Sequence, residues 1–523
     1  MSRPDREVGS WSRFAPAASI GAGFALGWAF VDFRFWALPW VALTPFIAIG
    51  ETEPPRRAAR VGWLGGIAGI GCAFVWLVYA FQVFGGFSLP VALALFVAPV
   101  AWMGLQMGAF AGLLAWLGPL PLGLAPPLTY VVIEFLFPTL FPWRLAHTQY
   151  HWVSLLQTAD LAGPYLLGFA IVWVNAGIVR LVRGGERAPL AVALVLVALL
   201  GLYGVRRAAA VEALRASAPP LRIGVVQGNV GVERKGDRSF FRRNLDDYRR
   251  LSLQLADGVD VLVWPETVAQ QAIDTEERRP RPDEHPFAST PRPLVFGGLA
   301  IGQGPEGRRL YNSAFLTDAS GEIVGRYDKR LLVPFGEYLP LASRFPWLRR
   351  LSPASGRFTA GAEPTLLALS DAARIGPLIC YEDVVPEPAR EAVRRGATLL
   401  LNLTNDAWYG RSAEPFQHQA LALWRAVETR RDLVRSTNTG VTAAVSATGY
   451  VLAELPIFVA AAERIDVRLL DVRTFYTTWG DVFAIGAVLA FGVVALSRWT
   501  AATRVGAGNR QVNRGAALKT PSP

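Results

Sequence analysis

The sequence predicts a multi-pass α-helical membrane domain joined to an extramembrane α/β domain. Three observations carry this. Hydrophobic residues make up 52% of the 523-residue chain and charged residues only 18%, the balance of a membrane protein rather than a soluble one. The apolar residues are concentrated before residue 206 and in one run over 481–497. Between these lies mixed sequence in which short β-rich runs alternate with helical patterns, which argues for strands whose sheet faces are covered by helices.

A bilayer core is crossed by roughly 20 apolar residues in helix. About eight stretches meet that length: 14–31, 33–50, 61–82, 88–117, 122–141, 161–181, 188–205 and 481–497. The second and fifth contain prolines, which membrane helices tolerate when neighbours satisfy the freed carbonyls. The first leads directly into further spans and lacks a convincing cleavage site, so it reads as a span and not a removable signal. The expected organisation is a transmembrane domain over 1–205 with about seven helices, a linker over 206–220, an α/β domain over 221–475, a last helix over 476–498, and a basic, disordered tail over 499–523.

The net charge is +11. Its arginines flank apolar segments, a pattern of membrane orientation and not of nucleic-acid binding. Arg56, Arg57, Arg60, Arg180, Arg183, Arg187, Arg498, Arg504, Arg510, Arg514 and Lys519 fall on the side of the N-terminal Arg3, Arg6 and Arg13. The opposite loops carry few positive residues, Arg34 and Arg144 among them, although Arg206 and Arg207 run against the trend. Both termini are then expected to be cytoplasmic, with the α/β domain outside, on the periplasmic side of a bacterial inner membrane.

After Ala218-Pro219-Pro220 the α/β domain opens with a buried strand over 221–227. Further strands are expected at 259–264, 293–301, 310–317, 322–327, 375–380, 397–403 and 440–448, and helices at 238–257, 384–395 and 416–431. Asp318-Ala319-Ser320-Gly321 reads as a hairpin turn. Over 340–361, Phe345, Pro346, Trp347, Leu348 and Leu351 are mixed with Arg344, Arg349 and Arg350. Apolar anchors among arginines suit a loop touching lipid.

The chain has two cysteines, Cys72 and Cys380, too few for a disulfide framework. Cys72 lies in an apolar segment and reads as packed there. Cys380 ends the strand-like run Gly376-Pro377-Leu378-Ile379 at a polar turn, Tyr381-Glu382-Asp383. A thiol attacks only as its thiolate, so its neighbours must take its proton. Two stretches can supply them. Val261-Leu262-Val263-Trp264-Pro265-Glu266 ends a strand on a carboxylate, and Lys329 is followed by Glu337. A carboxylate that removes the proton and an ammonium that stabilises the oxyanion make a complete acyl-transfer site without histidine. Of the four histidines, His147, His151, His285 and His418, none sits in a cysteine-protease motif. His285 lies in a charged loop. His418 opens a helix near the site region and reads as packed there rather than touching substrate. No Cys/His spacing suggests a metal, and no cofactor is implied.

A strand ending in Glu266, then Lys329 ahead of Val333-Pro334-Phe335-Gly336-Glu337-Tyr338-Leu339-Pro340, then Cys380-Tyr381-Glu382 resembles the nitrilase (carbon–nitrogen hydrolase) superfamily. Asn402-Leu403-Thr404-Asn405-Asp406-Ala407-Trp408-Tyr409-Gly410 with Pro415, Gln417 and His418, and Ser436-Thr437-Asn438-Thr439-Gly440, are similar to two further family blocks. Membrane helices on both sides of such a domain resemble one branch, the bacterial apolipoprotein N-acyltransferases. The resemblance implies an αββα sandwich, with Glu266 as general base, Lys329 as oxyanion stabiliser and Cys380 as acylated nucleophile. It implies supporting roles for Glu337, Tyr381 and Glu382. Where family members often carry an aromatic residue near the substrate entrance, this chain has Lys235-Gly236-Asp237, so no site residue is assigned there.

The resemblance also implies the reaction. A phospholipid, phosphatidylethanolamine, gives its sn-1 acyl chain to Cys380, and the thioester passes it to the α-amine of the diacylglyceryl-cysteine of an apolipoprotein. This is the last step of lipoprotein maturation, carried out by a monomer. The alternative is a membrane-tethered amidase or nitrilase in which water is the second nucleophile. A non-catalytic membrane scaffold or transporter is the rival from another class.

Overall fold

The computed structural model describes residues 8–83, 85–139, 141–231, 240–280, 292–305, 307–342, 344–347 and 356–517. Arg3, Arg6, Lys235, Gly236, Asp237, His285, Leu348, Arg349, Arg350, Leu351 and Lys519 lie outside the described residues. The membrane domain contains helices α1 (Val8–Val31), α2 (Thr44–Thr52), α3 (Pro55–Ala73), α4 (Trp76–Val83), α5 (Leu89–Leu117), α6 (Ala125–Leu136), α7 (Tyr165–Gly184) and α8 (Ala188–Ser217), and α12 (Val482–Ala517) returns to it.

Among the described residues, five helices are long and apolar enough to cross a membrane, within α1, α5, α7, α8 and α12. A sixth is obtained if α3 and α4, bent by 57° where they meet, form one span. Two expected spans take another form. The stretch 33–50 is cut into short helices, because Pro39 and Pro45 sit at helix starts, where the missing N–H costs nothing. The stretch 122–141 holds only the 12-residue α6. Two boundaries also differ. The linker expected over 206–220 is mostly helix, since α8 runs on to Ser217 and stops before Pro219-Pro220. The tail expected to be disordered continues α12 as far as Ala517, with no proline to end the helix before Pro521.

Helices α1, α3 and α5 pack through glycines. A Cβ on Gly23 would lie 1.9 Å from the Gly65 carbonyl oxygen, and one on Gly66 would lie 2.1 Å from that of Gly104. Only hydrogen fits at such a crossing. At one end of the bundle Arg57 pairs with Glu53 (3.1 Å) and Arg180 with Glu51 (3.0 Å), while Arg498 donates to the Pro119 carbonyl (2.7 Å). The other end, marked by Phe30, Phe74 and Trp143, meets the α/β domain.

That domain is a sandwich of two sheets. One is ordered β13–β1–β2–β4–β5–β6, with β3 also pairing β4. Its strands are β1 (Pro220–Gln227), β2 (Val261–Val263), β3 (Ala269–Asp274), β4 (Leu294–Gly304), β5 (Gly307–Thr317), β6 (Ile323–Asp328) and β13 (Ala461–Arg468). The other is ordered β12–β11–β10–β9–β8–β7, built from β7 (Leu367–Ala368), β8 (Arg374–Ile379), β9 (Leu399–Thr404), β10 (Leu433–Thr437), β11 (Ala443–Val445) and β12 (Val451–Glu454). Side chains alternate across each strand. Ile375, Ile379, Leu399, Leu401 and Leu403 point at the first sheet and meet Leu221, Ile223, Val225, Val261 and Val263.

The alternate residues Leu378 and Leu400 turn outward onto α10 (Pro386–Arg394) and α11 (Glu414–Thr429). Helix α9 (Phe241–Leu253) covers the outer face of the first sheet through Leu245, Tyr248 and Leu251. Helix α11 is shared. Its apolar residues belong to one core with Leu155, Leu167, Ala170 and Ile171 of the membrane domain. The same joint holds buried ion pairs. Asp160 takes Arg207 of α8 and Arg430 at the end of α11, each at 2.7 Å, and Arg215 of α8 pairs with buried Asp432 at 2.9 Å.

Gly66→Val is expected to lower the stability of the detergent-solubilised protein by about 3 kcal/mol or more, read as a fall in unfolding temperature and in folded yield. Gly71→Ala, whose Cβ would meet only a Val100 methyl at 3.9 Å, should leave both unchanged. A Gly66→Val protein as stable as the parent would show that the close crossing is not needed.

Candidate active site

Strand β8 runs parallel to β9 and ends at Ile379, so Cys380 sits beyond the carboxyl end of a parallel strand, where α/β sheets place their sites. Its φ is +51°, a left-handed conformation that a non-glycine residue holds only when its surroundings impose it. The surroundings do so. Glu382, two residues on, is fully buried. Its Oε2 accepts from the Ile379 amide (2.8 Å). Its Oε1 accepts from the Tyr327 hydroxyl (2.8 Å) and from the Arg330 and Leu331 amides (2.7 and 3.1 Å). One carboxylate thus ties the cysteine turn to the segment that carries Lys329.

Glu266 lies three residues past the end of β2. The chain there is held against β4: Val268 donates to the Gly297 carbonyl (2.8 Å), and Gly297 donates to that of Pro265 (3.1 Å). Gly297 permits the approach, because a Cβ on it would fall 2.5 Å from the Glu266 Cα. Lys329 follows β6, its amide bonded to the Asn312 carbonyl (2.8 Å). Its Nζ donates to Glu337 at 2.9 Å and lies 3.9 Å from Glu266 Oε1. The Asn312 amide bridges the two carboxylates, donating to Glu266 (2.7 Å) and Glu337 (3.0 Å). The Val333 amide donates to Glu337 (2.8 Å).

The charges follow from this geometry. Burial alone would push the Lys329 ammonium towards neutrality, but Glu337, Cys380 and Glu266 outweigh it and hold its pKa above the ordinary lysine value. Burial pushes the Cys380 thiol well above its usual range, and the Glu266 carboxylate adds to this. Lys329 and a hydrogen bond with the Thr404 side chain act the other way. The Cys380 thiol is therefore held in its neutral form, with a carboxylate and an ammonium acting on it in opposite directions.

Cys380 opens into a narrow cleft between the two domains. The α/β domain contributes Val333, Tyr381, Val384, Tyr409, Glu414, Gln417, His418 and Leu421 to its wall, and the membrane domain contributes Phe30, Phe74, Trp76, Phe141 and Trp143. Gln417 fixes the two halves together. Its amide donates to the Phe30 and Ala73 carbonyls (3.0 and 2.9 Å) and accepts from the Trp76 indole (2.9 Å). The Tyr381 ring stands edge-on to Phe141, with centroids 6.2 Å apart.

The structure thus draws Glu266, Lys329, Glu337, Cys380, Tyr381 and Glu382 to one end of the sandwich. Cys72 sits apart from these in α3. Sequence reasoning passed over Asn312, Gln417 and the membrane-domain aromatics. Nothing local marks Asn312, whereas Gln417 stood in a quoted motif without an assigned role. Leu341, Phe345 and Trp347, 65%, 44% and 57% exposed, are apolar side chains on the loop over 340–361 expected to touch lipid, and Phe335, just before that loop, is 60% exposed.

The family profile for "Carbon-nitrogen hydrolase" matches residues 222–460, and that for "Apolipoprotein N-acyltransferase N-terminal domain" matches residues 22–177. Among solved structures, the amidase from Nesterenkonia sp. AN1 is similar at 22% identity with a TM-score of 0.35, over 50% of this chain and 97% of that one. The apolipoprotein N-acyltransferase of Geobacter metallireducens is 34% identical over 91% of this chain and 94% of its own length. That of Azotobacter vinelandii is 34% identical over 92% and 94%. With both parts of the architecture matched along nearly its full length, the chain belongs to the apolipoprotein N-acyltransferase family.

Proposed function

We propose that Cys380 carries an acyl chain from a phospholipid to the α-amine of the N-terminal diacylglyceryl-cysteine of an apolipoprotein. The observation that carries this reading is the mixed wall of the cavity. A thiol flanked by Glu266 and Lys329 opens onto aromatic side chains of the membrane domain, a surface suited to a fatty acyl chain and not to a small polar amide.

In the first half-reaction Glu266 takes the thiol proton as Cys380 Sγ attacks the sn-1 ester carbonyl carbon. The Lys329 ammonium, steadied by Glu337, stabilises the oxyanion. Collapse breaks the ester C–O bond, and Glu266 returns the proton to the departing lysophospholipid alkoxide. In the second half-reaction the free amine attacks the thioester. Glu266 takes the amine proton and passes it to the leaving thiolate, and an amide remains. Tyr381 lines the acyl path, and Glu382 holds the nucleophile turn in place.

Phosphatidylethanolamine is the proposed donor, and the working unit is a monomer. The catalytic domain faces the periplasm, with both termini in the cytoplasm. What supports that orientation is the cluster of Arg57, Arg180, Arg183 and Arg498 at the end of the bundle away from the cavity. Phe335, Leu341 and Trp347 dip into the outer leaflet beside the site.

Three outcomes are expected. With vesicles of phosphatidylethanolamine labelled in the sn-1 chain, lysophospholipid is released and label stays on the protein. Cys380→Ala abolishes the adduct, Cys72→Ala keeps it, and adding a lipopeptide amine discharges it. Free fatty acid as the sole product would instead mean a hydrolase. Glu266→Gln should slow thioester formation by about 10²–10⁴-fold, the usual worth of a positioned base, and a smaller loss would remove Glu266 from that role. Because the thiol pKa is raised, iodoacetamide should alkylate resting Cys380 more slowly than free cysteine at pH 7, catching up only in alkaline solution. Fast alkylation at neutral pH would contradict a neutral resting thiol.

A further inference from the structure

His418 is a buried residue on α11 whose two ring nitrogens both face carboxylates. Nε2 is 2.8 Å from Asp383 Oδ1 and Nδ1 is 3.1 Å from Asp406 Oδ1. Ionised carboxylates only accept hydrogen bonds, so a ring held between two of them carries both protons and is an imidazolium. Both acceptors lead back to the nucleophile. Asp383 closes the turn that begins at Cys380, and its other oxygen takes the buried Arg435 guanidinium of β10. Asp406 accepts from the Thr404 hydroxyl at the end of β9 (3.4 Å), and its charge disfavours the Cys380 thiolate. His418 thus ties the carboxylate that closes the cysteine turn to a second carboxylate beyond the neighbouring strand.

We propose that His418 is a positioning residue for acyl transfer, an imidazolium that locks the strained cysteine turn from the side opposite Glu382 and offsets the two carboxylates behind the sulfur. The proposal rests on the acyl-transfer reading of Cys380 and adds to it a function for a histidine that never touches the reacting carbonyl. The charged and titratable groups around the ring are Asp383 of the turn, Asp406 and Tyr409 of the segment after β9, Glu414 one turn earlier on α11, and Arg435 of β10. Burial and Arg435 work against the charge on the ring, but Asp383 and Asp406 outweigh them and lift the imidazole pKa to about 10. Glu414, 3.8 Å from Nδ1, has its pKa pushed well up by burial and by Asp406. Arg435 and the imidazolium thus face Asp383 and Asp406. Removing the imidazolium leaves Asp406, which already disfavours the thiolate, without its counter-charge.

The test is His418→Gln in the full-length protein, purified as folded material and given vesicles of labelled phosphatidylethanolamine. Single-turnover acylation of Cys380 should fall by about ten- to a hundredfold, the cost of a nucleophile displaced by a fraction of an ångström or more. The loss should fall on the acylation rate and exceed any change in KM for the phospholipid, because the ring borders the cavity but spends both nitrogens on Asp383 and Asp406. The pH profile for iodoacetamide alkylation of Cys380 should move to higher pH. Asp383→Asn should show the same kinetic loss. The double variant should be little worse than Asp383→Asn alone, which already breaks the His418 link along with that to Arg435. A folded His418→Gln protein with parental rate and profile, or losses that multiply in the double variant, would overturn the proposal. Failure of the parent itself to acylate Cys380 would instead overturn the reading on which the proposal rests.

Discussion

The site depends first on the four hydrogen bonds received by Glu382. Cys380 and Lys329 come from strands in different sheets of the sandwich, and no backbone ladder connects their ends. A buried carboxylate is costly unless its lone pairs are filled. Here they are filled by the Ile379 amide on one side and by the Tyr327 hydroxyl and the Arg330 and Leu331 amides on the other. The satisfaction of that one group fixes the distance between nucleophile and ammonium. It also accounts for the left-handed cysteine, since a turn pinned at Ile379 and again at Glu382 cannot relax to a commoner conformation.

Around this clamp the electrostatics set a charged ammonium beside a neutral thiol. The ammonium of Lys329 is permanent, stabilised by a carboxylate that does no proton transfer. The thiol is neutral until a carbonyl arrives. A buried site can afford this because the low-polarity surroundings that disfavour the thiolate also strengthen the attraction between a developing oxyanion and Lys329.

Much of this was legible in the residues. Glu266, Lys329 and Cys380 each follow a short apolar run, and the strands that deliver them, β2, β6 and β8, begin and end close to the expected ranges. The hairpin at Asp318–Gly321 is present, with Asp318 accepting from the Ser320 and Glu322 amides. Less visible were strands whose burial is not signalled by apolar residues. β10 contains Arg435, a fully buried arginine that a hydropathy pattern places at the surface; it is inside because Asp383 pairs with it. β13 alternates Glu463, Arg464 and Asp466 with Ile465 and Val467, which reads as an exposed ribbon until its pairing with β1 is known. The membrane helices were misjudged where prolines sit at helix starts and not within spans, and the joint between the domains is built from partners more than 200 residues apart, such as Asp160 with Arg430, which local pattern cannot reveal.

Helix α11 is buried along its whole length except for Phe416, because the second sheet covers one side of it and the membrane bundle the other. Its polar side chains, Gln417, His418, Arg425 and Glu428 among them, are buried and paired inside the protein, so it has no face to offer water. Severing the chain after Ser217 and before Val482 would not release a soluble hydrolase of ordinary nitrilase size. It would strip the membrane domain from the outer side of α11 and lay bare Leu423, Trp424 and Val427 together with Arg430, leaving a fragment that aggregates.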